Sequence, residues 1–394
     1  MNYNFSGKVS SLKPSAIREI LKFTADPSVI PFAAGNPAAE AFPTEEIAAI
    51  SSTILADNPI GALQYSITEG YPPLRDWVRR HLDKQGIIGE DDDIIITSGA
   101  QQAIELSCKM LCDEGDTVIC EAPSFIGSLN AFKSYNVNLV GVPVLSDGIC
   151  VDSLERALLA NPNTKMIYLI PNFQNPSGIT MSLEKRKAVY ELASRFDVII
   201  VEDDPYGALR FAGEDIPAIK SLDNEGRVIY CGSFSKILSP GMRVGYVCAN
   251  MAPLQKIVVC KQVSDVHTNI WAQMVCERYF TIHDYDDHIE NLRGIYRRKS
   301  RLMLDNLKWE LPTSISFTEP EGGLFIWATL PDNIDMMDFC KKAVEKKVAV
   351  VPGVAFMVSE DIATSCFRLN YSTPTDAQIV DGVKILAKVA KSML

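Results

Sequence analysis

The chain has 394 residues, 47% of them apolar and 22% charged, with a formal net charge of -11. That length allows two or three domains at about 150 residues each and a sizeable core, and the composition excludes a disordered chain. The acidic balance argues against broad nucleic-acid binding, which needs a basic footprint, but leaves room for a small anion held by a few cations and a helix N-terminus.

In chain order, an N-terminal arm (1–40) carries one short amphipathic helix, Ser15–Lys22, with Ile17, Ile20 and Leu21 on one face and Arg18 at its border. From about residue 41 to 290, short β-rich runs alternate with helical patterns. The strands are expected at 94–97, 118–120, 137–140, 166–170, 198–201, 228–230 and 244–247. Several are continuously apolar, as strands covered on both faces are, which predicts a mostly parallel sheet of seven strands between helices, an α/β fold. Among the helices, one is expected near Leu74–Leu82 after the Gly70/Pro72-Pro73 loop. A second follows the capping-box pair Asp152/Glu155, and a third runs from Ser182 to about Arg195. The pattern then changes. A long basic helix (Tyr285–Leu307), strands at 324–329, 348–351 and 367–371, and helices near 336–346 and at the C-terminus predict a smaller α+β domain over 291–394.

The first fifteen residues lack the basic and apolar pattern of a secretory leader. No run reaches the roughly 18 apolar residues of a membrane span. Ten scattered cysteines without a CxxC pair suit a reducing compartment. A cytoplasmic protein with no membrane partner is expected. Four histidines, none in a zinc spacing, give no metal site.

Four segments could carry chemistry. Ser98-Gly99-Ala100-Gln101 joins a strand to a helix, where free backbone N–H groups and the helix dipole can cradle a phosphate. Pro171–Gly178 includes Asn175, whose amide can meet a ligand oxygen. Glu202-Asp203-Asp204-Pro205-Tyr206 ends another strand, where ligands of open α/β sheets sit. Gly232-Ser233-Phe234-Ser235-Lys236 is followed by Arg243; a desolvated lysine near another cation forms Schiff bases, and hydroxyls with an arginine suit a phosphate. Each segment alone is equally an ordinary turn, a solvated acidic loop or a surface lysine. Their common place at strand ends of one sheet gives them weight.

Together these motifs resemble the fold-type I pyridoxal-phosphate aminotransferases of class I/II, in the subgroup of 2-aminoadipate, kynurenine and aromatic aminotransferases. The resemblance runs from Pro14 to about Ser392. It implies that residues 41–290 bind pyridoxal 5'-phosphate and that Lys236 carries it as a Schiff base and shuttles the substrate proton. It pairs Asp203 with the pyridine nitrogen, because the family's tyrosine, here Tyr206, follows at +3. Asn175 and Tyr206 would hold the ring's phenolic oxygen. The backbones of Ala100 and Gln101 would hold the phosphate, with Ser233, Ser235 and Arg243. Phe125 would stack on the ring, and Tyr65 would reach the partner's phosphate in a homodimer. Arg368 would fork onto the substrate α-carboxylate, with Asn175 and the Gly35 backbone beside it. Relatives often carry Tyr at Phe125 and Ser at Ala100, so one polar contact is missing at each place.

In the 2-aminoadipate type an arginine of the N-terminal helix reads an acidic side chain, which points to Arg18, the alternative being a solvated arginine. Amino transfer from 2-aminoadipate, glutamate, aromatic or aliphatic donors to a 2-oxo acid such as 2-oxoglutarate, in ping-pong fashion, is therefore expected. A β-lyase on the same fold shares these residues and is the alternative. Serine acylation is disfavoured, because Ser233-Phe234-Ser235-Lys236 has the SxxK form but Val266 follows Ser264-Asp265 and no KTG exists. A DNA-binding regulator is disfavoured by the acidic charge.

Overall fold

The computed structural model describes residues 3, 5–10, 26–359 and 361–394, and Arg18 with its helix lies outside them. The strands of the main sheet are β1 (Asp92–Thr97), β2 (Thr117–Ala122), β3 (Asn138–Leu145), β4 (Gly148–Ile149), β5 (Thr164–Leu169), β6 (Ile199–Asp204), β7 (Val228–Ser233) and β8 (Gly245–Asn250). They lie in the order β1-β8-β7-β6-β5-β2-β3-β4. All seven expected strands are present. The eighth, β4, is a two-residue strand turned back antiparallel onto the end of β3, too short to leave a periodic signal. The strands β3, β2, β5, β6 and β7 are mutually parallel, and β8 alone reverses between β7 and β1.

Burial on both faces explains the unbroken apolar runs. On one face Val118, Met166, Tyr168 and Val201 pack with Ala103, Ile104 and Leu106 of helix Ala100–Leu111 and with Leu129 and Phe132 of helix Ile126–Lys133. On the other, Ile119, Ile167, Leu169 and Ile200 pack with Leu154, Leu158, Val189 and Leu192 of helices Val151–Ala160 and Leu183–Phe196. The period of two along each strand thus decides which face a strand-end side chain meets.

Ser182 caps its helix as expected, accepting from the Lys185 N–H. The Asp152/Glu155 box does not form. Its helix starts at Val151 after Cys150, two positions earlier than that box requires, which places Asp152 in the first turn where its charge suits the dipole. A second, antiparallel sheet orders β11 (Val351–Pro352), β12 (Cys366–Asn370), β10 (Phe325–Thr329) and β9 (Ser316–Phe317). The run 348–351 is not one strand: Val348 makes a lone parallel bridge to Ile30, and pairing with β12 begins only at Val351. Segment 30–36 is laced to this sheet, since the Asn370 N–H donates to the Phe32 carbonyl and the Ala349 N–H to that of Ile30. The long helix Tyr285–Glu310 packs on the C-terminal helix Asp376–Lys391.

One buried charge ties the end of β5 to its surroundings. The Arg186 side chain is wholly buried. Its guanidinium donates to the carbonyls of Met181 (3.0 Å), Ile216 (3.3 Å), Pro217 (3.0 Å) and Pro171 (3.2 Å) and to Asn172 Oδ1 (2.6 Å). Replacement by Met removes all five bonds, although the Pro171 carbonyl keeps the Met181 N–H, so Arg186→Met should lower unfolding stability by about 3 kcal/mol in denaturant titration.

Candidate active site

The register brings the four motifs to one edge. Parallel strands β2, β5, β6 and β7 all end there, and β8 begins there, with Gly245 paired to both Ser233 and Thr97. Ser98–Gln101, Asn175, Asp203 and Ser233–Arg243 therefore meet along that edge.

Three adjacent acids are separated by the pleat. Glu202 points to the far face and accepts from the N–H groups of Ile219 (2.9 Å) and Lys220 (2.7 Å). Asp204 accepts from the Gly207 N–H (2.8 Å) and the Tyr230 hydroxyl (3.0 Å). Asp203 shares its face with Tyr168, whose hydroxyl donates to Oδ2 at 2.7 Å. Its other oxygen, Oδ1, is buried with no partner. Burial pushes the Asp203 carboxyl up to about 7 against the lowering effect of the Tyr168 bond. A bare carboxylate oxygen of this kind fits a cationic ring nitrogen.

The Lys236 Nζ donates to the Gly35 carbonyl at 2.8 Å. Burial first, then the nearby charges of Arg368 and Arg243, lower its amine to about 8. Arg368, on β12, is buried. Nη1 donates to Asn175 Oδ1 (2.8 Å) and Nη2 to the carbonyls of Ala33 (2.8 Å) and Ala34 (3.3 Å), while Nε has no partner. Its guanidinium carbon lies 4.3 Å from the Phe325 ring centroid and 5.0 Å from that of Phe356. Burial lowers it to about 10. Asn175 also lies close enough to the buried Tyr206 hydroxyl to influence it.

The end of the site best suited to an anion is a helix start. Gly99 caps helix Ala100–Leu111 at φ +79°, and a Cβ there would lie 2.4 Å from Arg243 Nη2. At Gly245 a Cβ would lie 2.7 Å from the Ala100 nitrogen. Both glycines therefore allow close backbone approach. The first N–H groups of that helix, those of Ala100 and Gln101, have no acceptor within it. The Gln101 side chain turns aside to the Gly127 carbonyl (3.0 Å). Arg243 donates to the Ser98 carbonyl (3.3 Å), and Ser233 Oγ accepts from the Ser235 N–H (3.1 Å). Phe125 caps helix Ile126–Lys133, half-buried, and packs with Gln101 over Gly127. Tyr65 is not brought into this group: it is 81% exposed, its ring edge-on to His267 at 5.9 Å.

Two features escaped the sequence. Tyr168 is the single polar tip in the run Met166–Ile170, a signal present but unread. The Ser98–Gln101 turn is braced by a pair that is i,i+4 on and just past helix Met251–Gln262. There Lys261 Nζ donates to Asp265 (2.8 Å) and Gln102 Oε1 (2.8 Å), and Asp265 accepts from Ser98 Oγ (2.7 Å).

The donor set fits pyridoxal phosphate: a bare carboxylate oxygen for the ring nitrogen, a lowered lysine for the aldehyde, and free N–H groups with Arg243 for the phosphate. Residues 27–386 match the family model of aminotransferase class I and II. The chain is 41% identical to aromatic-amino-acid aminotransferase 1 of Thermococcus litoralis, over 98% of this chain and 94% of that protein. It is 37% identical to 2-aminoadipate transaminase of Thermus thermophilus, over 99% and 97%. The solved structure of Pyrococcus horikoshii kynurenine aminotransferase superposes with a TM-score of 0.95 at 40% identity, covering 99% of this chain and 97% of that one. The chain belongs to the class I and II aminotransferases. It is a pyridoxal-phosphate-dependent aminotransferase of fold type I.

The amine of Lys236 gives a direct check. In cofactor-free protein, acetylation of Lys236 followed by peptide mass spectrometry should titrate with a midpoint near 8 rather than the ordinary 10.5. Arg368→Met removes a repelling cation and should raise that midpoint. A wild-type midpoint near 10.5 would contradict the buried geometry.

Proposed function

We propose that this aminotransferase moves an amino group between an L-amino acid and a 2-oxo acid such as 2-oxoglutarate in two half-reactions, with aromatic and 2-aminoadipate-type donors. The observation that carries this reading is the convergence of Lys236, Asp203 and Arg368 at one strand edge, two of them with bare buried polar atoms. The donor range rests on what the relatives' names say: an aromatic-amino-acid aminotransferase, a 2-aminoadipate transaminase and a kynurenine aminotransferase.

Bound pyridoxal phosphate supplies an aldehyde and an electron-withdrawing ring. The protein's part is placement and proton transfer. Arg368 turns its fork to the substrate α-carboxylate, held in orientation by Asn175 and the Ala33 carbonyl and flanked by Phe325 and Phe356. Lys236, its amine lowered to about 8, is partly neutral near pH 7 and takes the proton from the substrate Cα, then returns it. Asp203 would keep the cofactor's ring nitrogen protonated, and Asn175 with Tyr206 would hold its ring oxygen. Ala100, Gln101, Ser233, Ser235 and Arg243 would anchor its phosphate, Phe125 would cover the ring, and Gly35 would lie beside the substrate. Residues 41–290 and 291–394 act as large and small domains, with segment 30–36 of the arm laced to the latter.

The protein works as a homodimer in the cytoplasm. Ile60 (73% exposed), Leu63 (75%) and Tyr65 form an apolar surface that a second copy would cover, carrying Tyr65 to the partner's phosphate. The ten free cysteines suit a reducing compartment, and no described helix is long and apolar enough to cross a membrane.

A spectroscopic half-reaction panel tests the donor range: glutamate, 2-aminoadipate and phenylalanine should each convert the bound cofactor to its amino form, and Lys236→Ala should convert none. Arg368→Lys loses the two-pronged geometry and should cost roughly 100-fold in kcat/KM for every donor. Arg18→Ala should slow the acidic donors alone. For the shared site, Tyr65→Phe should leave a dimer in light scattering yet bind cofactor roughly 10- to 100-fold more weakly, on the order of one hydrogen bond to a charged group. A wild-type monomer with full activity would end the dimer reading.

A further inference from the structure

Asp203 sits in an apolar wall with a single stabilising contact. Tyr168, fully buried on β5, donates its hydroxyl proton to Asp203 Oδ2 at 2.7 Å. A phenol has one proton, so with that proton committed its oxygen can only accept. Ser128 Oγ, also fully buried, fills that position at 2.8 Å. Phe132 meets the Tyr168 ring edge-on at 5.3 Å and fixes its plane.

We propose that Ser128 and Tyr168 form a two-hydroxyl relay that positions Asp203 and holds it ionised on one oxygen, so that the other is presented to the cofactor's ring nitrogen. This rests on Asp203 being the ring-nitrogen partner.

Three further observations support it. The other ionisable groups facing Asp203 give it no positive charge: burial raises Glu121 on β2 to about 8 and raises the Cys231 thiol and the Tyr206 hydroxyl well up, and Asp204 is an acid. The Tyr168 hydrogen bond is accordingly what counters burial at Asp203. Donation from Ser128 polarises the phenol and strengthens its bond to the carboxylate, as linked hydrogen bonds do in a low dielectric. Finally, Ser128 lies in the first turn of the helix capped by Phe125, its N–H donating to the Phe125 carbonyl at 3.1 Å. One helix therefore places both the residue over the ring face and the start of the relay behind the ring edge.

Without the relay Asp203 becomes a stronger base and draws the shared proton from the ring nitrogen toward its own oxygen, weakening the electron sink. The test uses holoenzyme loaded with cofactor labelled with 15N in the ring. Tyr168→Phe, nearly isosteric, should move the 15N resonance from the protonated toward the unprotonated position, and Ser128→Ala should move it less in the same direction. In turnover, Tyr168→Phe should lower kcat roughly tenfold with donor KM little changed, because the lost contact acts on the reacting ring and not on the substrate. Asp203→Ala is the reference. If it moves the resonance and Tyr168→Phe does not, even with a lowered melting temperature, the relay is overturned and Tyr168 is structural. If Asp203→Ala leaves the resonance in place, the assignment of Asp203 falls and the relay with it. Should Tyr168→Phe fail to accumulate, an unmoved resonance in Ser128→Ala overturns the proposal.

Discussion

The cost of burying polar atoms without partners organises this molecule. Asp203 Oδ1 and Arg368 Nε are both removed from water and left bare, an arrangement that destabilises a folded chain by on the order of 1–3 kcal/mol per atom. The surrounding structure is built to bear that cost. Arg368 spends its other nitrogens on Asn175 and the Ala33 and Ala34 carbonyls and lies between two aromatic rings. Asp203 keeps one oxygen on Tyr168. A ligand that brings a cation to one and a carboxylate to the other restores both interactions at once, so binding and folding draw on the same unsatisfied atoms.

The pleat of one sheet does the sorting. Glu202, Asp203 and Asp204 are chemically near-equivalent in sequence, yet alternation sends Glu202 to bind the backbone at 219–220 and Asp203 to the opposite face. The same alternation puts Tyr168 on the Asp203 face, and not Ile167 or Leu169. Antiparallel β8 has a matching role. Its reversal brings Gly245 between the ends of β1 and β7, so that the Ser98–Gln101 turn and the Ser233–Arg243 loop become neighbours although more than 130 residues separate them.

Much of this was legible from residues alone. Several of the seven long strands declared themselves by unbroken apolar runs, because both faces are covered. The segments holding Lys236, Asn175, Arg243 and the acids at 202–204 stood out by their place at strand ends, and only the family resemblance selected Asp203 among the acids. Features resting on tertiary pairing were not legible. β4 is two residues long and exists only because the chain turns back after Leu145. The run 348–351 looks like a strand, but its first residue bridges Ile30 of the arm and only its last joins the sheet. The Asp152/Glu155 spacing fits a capping box, yet the helix starts two residues sooner, since packing of Leu154 and Leu158 on β2 and β3 sets its phase. The Lys261–Asp265 brace reads as a surface helix pair until the fold lays it under Ser98 and Gln102.

That brace and the Ser128–Tyr168 chain share a logic. In each, the groups that would touch the ligand are themselves held by buried polar partners one step back, so that little reorganisation remains to be done when the ligand arrives. The consequence is asymmetric. At the phosphate end a charged pair, Lys261–Asp265, fixes a loop of backbone donors, where position is what matters. At the ring end two neutral hydroxyls fix a carboxylate, where proton affinity matters as well. A cation in the place of Tyr168 would hold Asp203 equally still, but would neutralise the charge that the proposed contact to a ring nitrogen requires. Hydroxyls orient the acid and leave its charge for the ligand.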